Sequence, residues 1–170
     1  MEVIPSGTGD GDFEDLFSAT FEPMVRSLAL ACGDREVAAD AVQDAFIRAY
    51  ARWPRISAYD DPAGWIRHVA LNRLRDHFRR TARGQRAVER LAGRDPATAT
   101  TPPPSEPGDP SDLLERVSEL PQQQRIAVSL FYVEQLSVLE IATAMGLSEG
   151  AVKYHLHAGR ERLRTTLGPA

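Results

Sequence analysis

Four histidines, one cysteine and twenty-four carboxylates are the groups from which an active site could be assembled in this chain, and their spacing assembles none. His155 and His157 stand two apart, so on a helix they diverge by about 200°. Cys32 is alone, can neither form an internal disulfide nor hold zinc by itself, and reads as a small apolar residue. No Cys/His/acid cluster has the spacing of metal ligands, no glycine loop is built to cradle phosphate, and no strand–Ser–helix elbow offers a nucleophile. The expectation is no catalytic residue, no metal and no cofactor, with His68 and His77 facing solvent.

The chemistry lies instead in recognition. His68, Asn72, Arg75, Arg79 and Arg83 recur at steps of four, three, four and four, which places them along one face of a helix. Guanidiniums in such a row can lie along phosphates while Asn72 offers its amide to a base edge or sugar. Asp76 is the only acid between Trp65 and Arg86, whereas a merely solvated face would mix both signs. Just upstream, residues 53–61 form an expected loop in which Arg55 and Tyr59 could hold an unstacked base by stacking and edge hydrogen bonds; Trp53 and Trp65 are assigned to the core.

A second row lies near the C-terminus. Glu149, Lys153, His157, Arg160 and Arg164 face outward, with Tyr154 on their flank and Ser148 capping the helix that carries them. The outward N-terminal part of such a helix can enter a major groove and meet base edges. A third surface differs in kind. Asp40, Gln43 and Asp44 surround Ile47, an acidic patch with an apolar centre that suits protein docking: charge for register, a methyl group to desolvate.

Charge is segregated along the chain. The net charge is −4, yet from Met1 to Phe46 ten acids face two arginines, and from Trp65 to Arg94 nine arginines face two acids. One end of the first helical stretch can therefore meet a basic protein while the other meets a phosphate backbone.

These residues must be held by helices. After a short polar opening of ten residues, expected to be loose, helical periodicity runs from Phe13 to Arg86 and resumes from Ser111 to Leu167. Asp34 caps a helix from Val37 to Trp53 whose core side is Ala38, Ala41, Val42, Ala45, Phe46 and Ala49. Asp61 followed by Pro62 opens the next, with Ile66, Ala70, Leu71, Leu74 and Phe78 inward. A helix from Gln122 to Val133 packs through Ile126, Val128, Leu130 and Phe131. Ser137-Val138-Leu139-Glu140 then spells a capping box, and Gly146 the tight turn of a helix-turn-helix sealed by Val152, Leu156, Gly159, Leu163 and Leu167. The intervening Asp95–Pro110 stretch is a proline-rich tether. The fold class is all-α: two small helical domains, residues 12–86 and 112–168, on a flexible linker of residues 87–111. No apolar run is long enough to cross a bilayer and no signal peptide is evident, so a cytoplasmic protein is expected.

Asp40-Ala41-Val42-Gln43-Asp44-Ala45-Phe46, then Gly64-Trp65-Ile66-Arg67-His68-Val69-Ala70-Leu71-Asn72 with Asp76 and Arg79, then Leu120-Pro121 with Arg125, then Glu140-Ile141-Ala142 and Met145 through Lys153, resemble in order the sigma-70 family, specifically its extracytoplasmic-function group. The resemblance implies a transcription initiation factor that binds core RNA polymerase and promoter DNA. Asp40, Gln43, Asp44 and Ile47 would bind the basic coiled coil of the polymerase's largest subunit. The Asn72 helix and the loop before it would open the minus-ten element and capture a flipped base. The helix opening at Ser148 would read the minus-thirty-five element, and the linker would run toward the polymerase active site and RNA exit. An anti-sigma factor covering both DNA-binding units is the further partner implied. Ala151 departs from the family's usual threonine and Ala158 from its frequent arginine, which leaves His157 and Tyr154 to supply contacts there. The alternative is a helix-turn-helix regulator that never engages polymerase and gives the Asp40–Ile47 face no role.

Overall fold

The computed structural model describes residues 8–93 and 110–167 and, among them, is built from helices and short turns with no strand. The N-terminal unit holds α1 (Thr8–Cys32), α2 (Arg35–Tyr50), the one-turn α3 (Trp53–Ile56) and α4 (Pro62–Ala92). The C-terminal unit holds α5 (Pro110–Ser118), α6 (Gln122–Val133), α7 (Val138–Met145) and α8 (Glu149–Leu167).

Local chemistry fixes most of the helix starts. The Asp34 carboxylate accepts from the backbone N–H groups of Glu36 and Val37 at 2.9 and 3.2 Å, satisfying two of the donors a helix start leaves orphaned. Asp61 does the same for Gly64 at 2.8 Å, with Pro62 in the first turn. Ser137 and Glu140 form the reciprocal capping box, and Gly146 closes α7 at φ +66°, a left-handed geometry that glycine adopts without a Cβ penalty.

Three boundaries differ from expectation. Helix α1 begins at Thr8, so residues 8–10 are helical rather than loose. The Trp53–Asp61 segment is not all loop, because Pro54 at the start of a turn lets Trp53–Ile56 close as α3, burying Trp53 and Ile56. Helix α4 continues past Arg86 to Ala92, where Gly93 in the left-handed region ends it. No core requires that extension; Ala87, Glu89 and Arg90 favour helix by propensity, and nothing before Gly93 breaks it. The proline-rich tether lies outside the described residues for most of its length, as do residues 1–7.

The structure decides the arrangement of the two helical units, which the sequence leaves open: α6 packs on α1 and α7 on α4, so one continuous core runs from Met24, Leu28 and Leu71 through Ile126 and Leu130 to Ile141 and Met145, all fully buried. Each such side chain contributes roughly 1.5–3 kcal/mol of transfer free energy. At the junction Arg67 Nε donates to Glu134 Oε2 at 2.7 Å, with side-chain exposures of only 8% and 1%. The other oxygen of Glu134 accepts the Ser27 hydroxyl at 2.5 Å.

Candidate nucleic-acid and protein interfaces

The acidic face forms as expected on α2, and its residues differ in availability. Asp40 and Gln43 are exposed and Ile47 is 61% exposed, far more than a core isoleucine. Asp44 is half-buried and already ion-paired with Arg48 at 2.8 Å and Arg73 at 3.0 Å. Its charge is partly spent within the chain. Gln43 and Ile47 line an apolar groove of about 690 Å³ whose other walls are Phe13, Phe17, Phe21, Phe46 and Tyr50, with Asp10 and Glu14 at its rim. The α1 phenylalanines recur every four residues, and their rings stack edgewise onto α2: Phe13 lies 5.0 Å from Tyr50 and Phe17 lies 5.1 Å from Phe46, centroid to centroid. Sequence reasoning missed this aromatic wall, although the step of four between Phe13, Phe17 and Phe21 was the available signal.

On α4 the stripe splits in two. Arg79 and Arg83 are exposed in the C-terminal half of α4, Arg79 loosely paired with Asp76 at 3.5 Å. The upper three residues are engaged. His68 is not solvent-facing as expected: it is half-buried, its Nδ1 sits 3.0 Å from the Ala144 carbonyl oxygen, and its Nε2 lies 3.1 Å from the Asn72 amide nitrogen. Arg75 donates to Asn72 Oδ1 at 3.1 Å and to the Met145 carbonyl at 3.2 Å. Burial first, and the neighbouring Arg79 charge second, pull the Arg75 guanidinium below its ordinary pKa. His77 is exposed, as expected. Arg55 is exposed on α3 and Tyr59 is exposed in the turn between α3 and α4, at 37%.

On α8, Glu149, Lys153, Tyr154, His157 and Arg164 are exposed, and Val152 and Leu156 seal the inner side. The Ser148 hydroxyl is occupied as the cap, accepting from the Ala151 N–H at 3.2 Å. Arg160 departs from the outward row. Its Nε donates to the Tyr132 hydroxyl at 2.9 Å and its guanidinium lies 4.7 Å from the centroid of the Phe131 ring. A cation over an aromatic face is held by the ring quadrupole, so Arg160 packs against α6. Arg164 pairs with Glu161 one turn back.

The helix-turn-helix itself rests on close approach. A Cβ at Gly159 would come 2.9 Å from Val128 Cγ2 and 3.6 Å from Gln124 Cβ, so α8 crosses α6 at a distance only glycine allows there. The arrangement offers three recognisably different surfaces: an aromatic groove with acidic residues in its lining, the exposed guanidiniums of Arg79 and Arg83 on α4, and an outward polar face at the start of α8. No helix among the described residues is long and apolar enough to cross a membrane.

Comparison with known proteins agrees with this layout. The family profile described as Sigma-70 region 2 matches residues 17–84, and that described as Sigma-70, region 4 matches residues 111–163. The RNA polymerase sigma factor CarQ of Myxococcus xanthus is 34% identical over 99% of this chain and 95% of its own length. The extracytoplasmic-function sigma factor SigW of Bacillus subtilis is 26% identical over 94% of this chain and 91% of its own. Among solved structures, the sigma factor RpoE from Bartonella quintana, crystallised with the anti-sigma factor NepR, superposes with a TM-score of 0.71 at 21% identity, covering 92% of this chain and 96% of that one.

Proposed function

Because the chain belongs to the sigma-70 family, in its extracytoplasmic-function group, we propose that its three surfaces divide the work of an alternative sigma factor, which binds core RNA polymerase and promoter DNA and promotes transcription initiation. In this reading residues 12–86 form the polymerase and minus-ten domain, residues 87–111 the linker, and residues 112–168 the minus-thirty-five domain.

Polymerase docks on α2. Ile47 supplies the apolar centre, Asp40 and Gln43 its register, and the aromatic wall of α1 widens the patch; Asp44 contributes mainly by holding Arg73 and hence the angle between α2 and α4. The minus-ten element lies along α4, with Arg79 and Arg83 on phosphates and His68, Asn72 and Arg75 nearer the bases, while Arg55 and Tyr59 hold the flipped base. Lys153, Tyr154, His157 and Glu149 read the minus-thirty-five element, Ser148 presents the helix N-terminus to a phosphate, Arg164 contacts the backbone, and Arg160 braces α8 against α6. Promoter opening follows from binding energy: a captured unstacked base is removed from the duplex equilibrium, and no covalent step is involved. The site of action is the cytoplasm. The solved relative is named with an anti-sigma factor, and a partner of that kind is proposed here.

The observation that carries this reading is the presence in one chain of exposed arginines on α4 and an apolar groove with acidic residues in its lining on α1 and α2. Runoff transcription with purified core polymerase on a promoter library tests it. The wild type selects discrete start sites; Asp40→Arg with Ile47→Asp abolishes selection by loss of core binding, read in parallel by pull-down. Undiminished core affinity in that double variant would refute the assignment of the docking face.

A further inference from the structure

A cavity of about 360 Å³ lies where α4 meets the start of α6, lined by Arg75, Phe78, Arg79, Ala82, Gln122 and Gln123. That volume is at the small end of ligand pockets, which begin near roughly 300 Å³. Two guanidiniums and two carboxamides face it together with one aromatic ring, and no carboxylate is in its lining. Asp76 meets Arg79 from outside at 3.5 Å, with both side chains more than half exposed, a pair too weak to count as neutralised.

The lining has unmet demands of both signs. Arg75 donates to the Asn72 and Met145 oxygens, which are neutral, and its Nε is buried with no acceptor among the described residues. Arg79 carries the same charge one turn further along α4, and like charges at that spacing repel. An anion between the two guanidiniums removes the repulsion and supplies the acceptor, and a phosphate does so with the geometry that a guanidinium fork matches. Gln123 has the converse need: its Oε1 is buried with no donor. Gln122 and Gln123 open α6, whose start has no side-chain cap, so first-turn N–H groups and the positive end of that helix add to the same field. Phe78, half-buried between the two arginines in the sequence, offers a ring.

We propose that this cavity binds a small free nucleotide, with a phosphate between Arg75 and Arg79, the base against the Phe78 ring, and a base or ribose donor on Gln123 Oε1. Inorganic phosphate would answer the guanidiniums alone and leave the ring and the buried carboxamide oxygen unused. A nucleoside would answer the ring and the oxygen and leave the guanidiniums. Only a molecule joining an anion, a flat ring and hydrogen-bond donors meets the whole lining, since base stacking and charge-assisted bonds are separate sources of affinity. The inference does not rest on α4 binding promoter DNA. Arg75 and Arg79 belong to both assignments, so on the two readings together nucleotide and single strand compete for them.

The test titrates the full-length chain with ADP by isothermal calorimetry, with inorganic phosphate and adenosine as partial probes and fluorescence anisotropy of a labelled twelve-nucleotide oligothymidylate in parallel. ADP binds at one per chain, and phosphate and adenosine each bind at least about tenfold more weakly, the loss expected when one charge-assisted bond or one stack is missing. Arg75→Gln weakens ADP about tenfold or more for the same reason. Ala82→Leu fills the cavity with a good helix former and leaves both guanidiniums in place. It abolishes ADP binding while oligothymidylate is still bound, and it decides the matter if Arg75→Gln loses helical circular dichroism. No heat with millimolar ADP overturns the proposal. Unchanged ADP affinity in both Arg75→Gln and Ala82→Leu overturns the location, and phosphate binding as tightly as ADP overturns the nucleotide. A chain that binds ADP in this pattern and no oligothymidylate upholds the cavity and sinks only the reading of α4 as a DNA site.

Discussion

Replacing Arg79 and Arg83 with alanine isolates the electrostatic part of DNA binding. Both guanidiniums are exposed on α4, about one and two turns beyond Arg75, the last residue of the row that bonds α7. Arg79 faces Asp76 at 3.5 Å with both side chains more than half exposed; such a pair is worth at most about 1 kcal/mol and yields to a phosphate. Arg83 forms no ion pair among the described residues. Each phosphate contact adds about 0.7 to the log–log salt slope on a single strand and about 0.9 on a duplex. Between 1 M and 0.1 M salt, one contact is thus worth about fivefold to eightfold. The double variant should bind about 25- to 60-fold more weakly at 0.1 M, roughly 2 kcal/mol, with a slope shallower by about 1.4–1.8. Arginine and alanine both favour helix, so folding is not the cause of the loss. Anisotropy titrations from 50 to about 300 mM salt span the useful range. Arg35→Ala, exposed and paired with Glu22 at 2.6 Å away from the α4 row, serves as the control. Superimposable slopes for wild type and the double variant would show that α4 does not track phosphates.

Three further outcomes follow from the geometry. Gly159→Val drives a branched side chain into Val128 and should cost about 1–3 kcal/mol in urea unfolding, with part of the loss recovered by adding Val128→Ala; equal loss with and without the second change would argue against close crossing of α6 and α8. The Glu140 carboxylate is held below its ordinary pKa, chiefly because it accepts the Ser137 backbone N–H and also through the Ser137 hydroxyl. A depressed acid stabilises the fold fully above its unfolded value near about 4.3. That contribution is lost as pH falls through the lower folded value, so Glu140→Gln should flatten the acid limb of thermal stability against pH, and an unchanged limb would discount the capping box. Lys153→Ala should change upstream-element preference by about 1–3 kcal/mol per lost base contact; uniform weakening on every promoter would reassign Lys153 to the backbone.

What could be read directly from the chain was local. Asp34, Asp61 and Ser137 act on N–H groups two or three residues away, and the faces of α2, α4 and α8 follow from a period of 3.6. Capping chemistry and periodicity therefore gave the helices, the helix-turn-helix and the outward rows on α2, α4 and α8 without any knowledge of packing. They could not say what covers a face. The partners of Arg67, His68 and Ser27 lie 67, 76 and 107 residues along the chain, and Arg160 turns inward because Phe131 and Tyr132 happen to stand opposite it. Only the tertiary structure decided which guanidiniums remain free for phosphate, since periodicity sets a side chain's direction while availability depends on which distant element is packed against it.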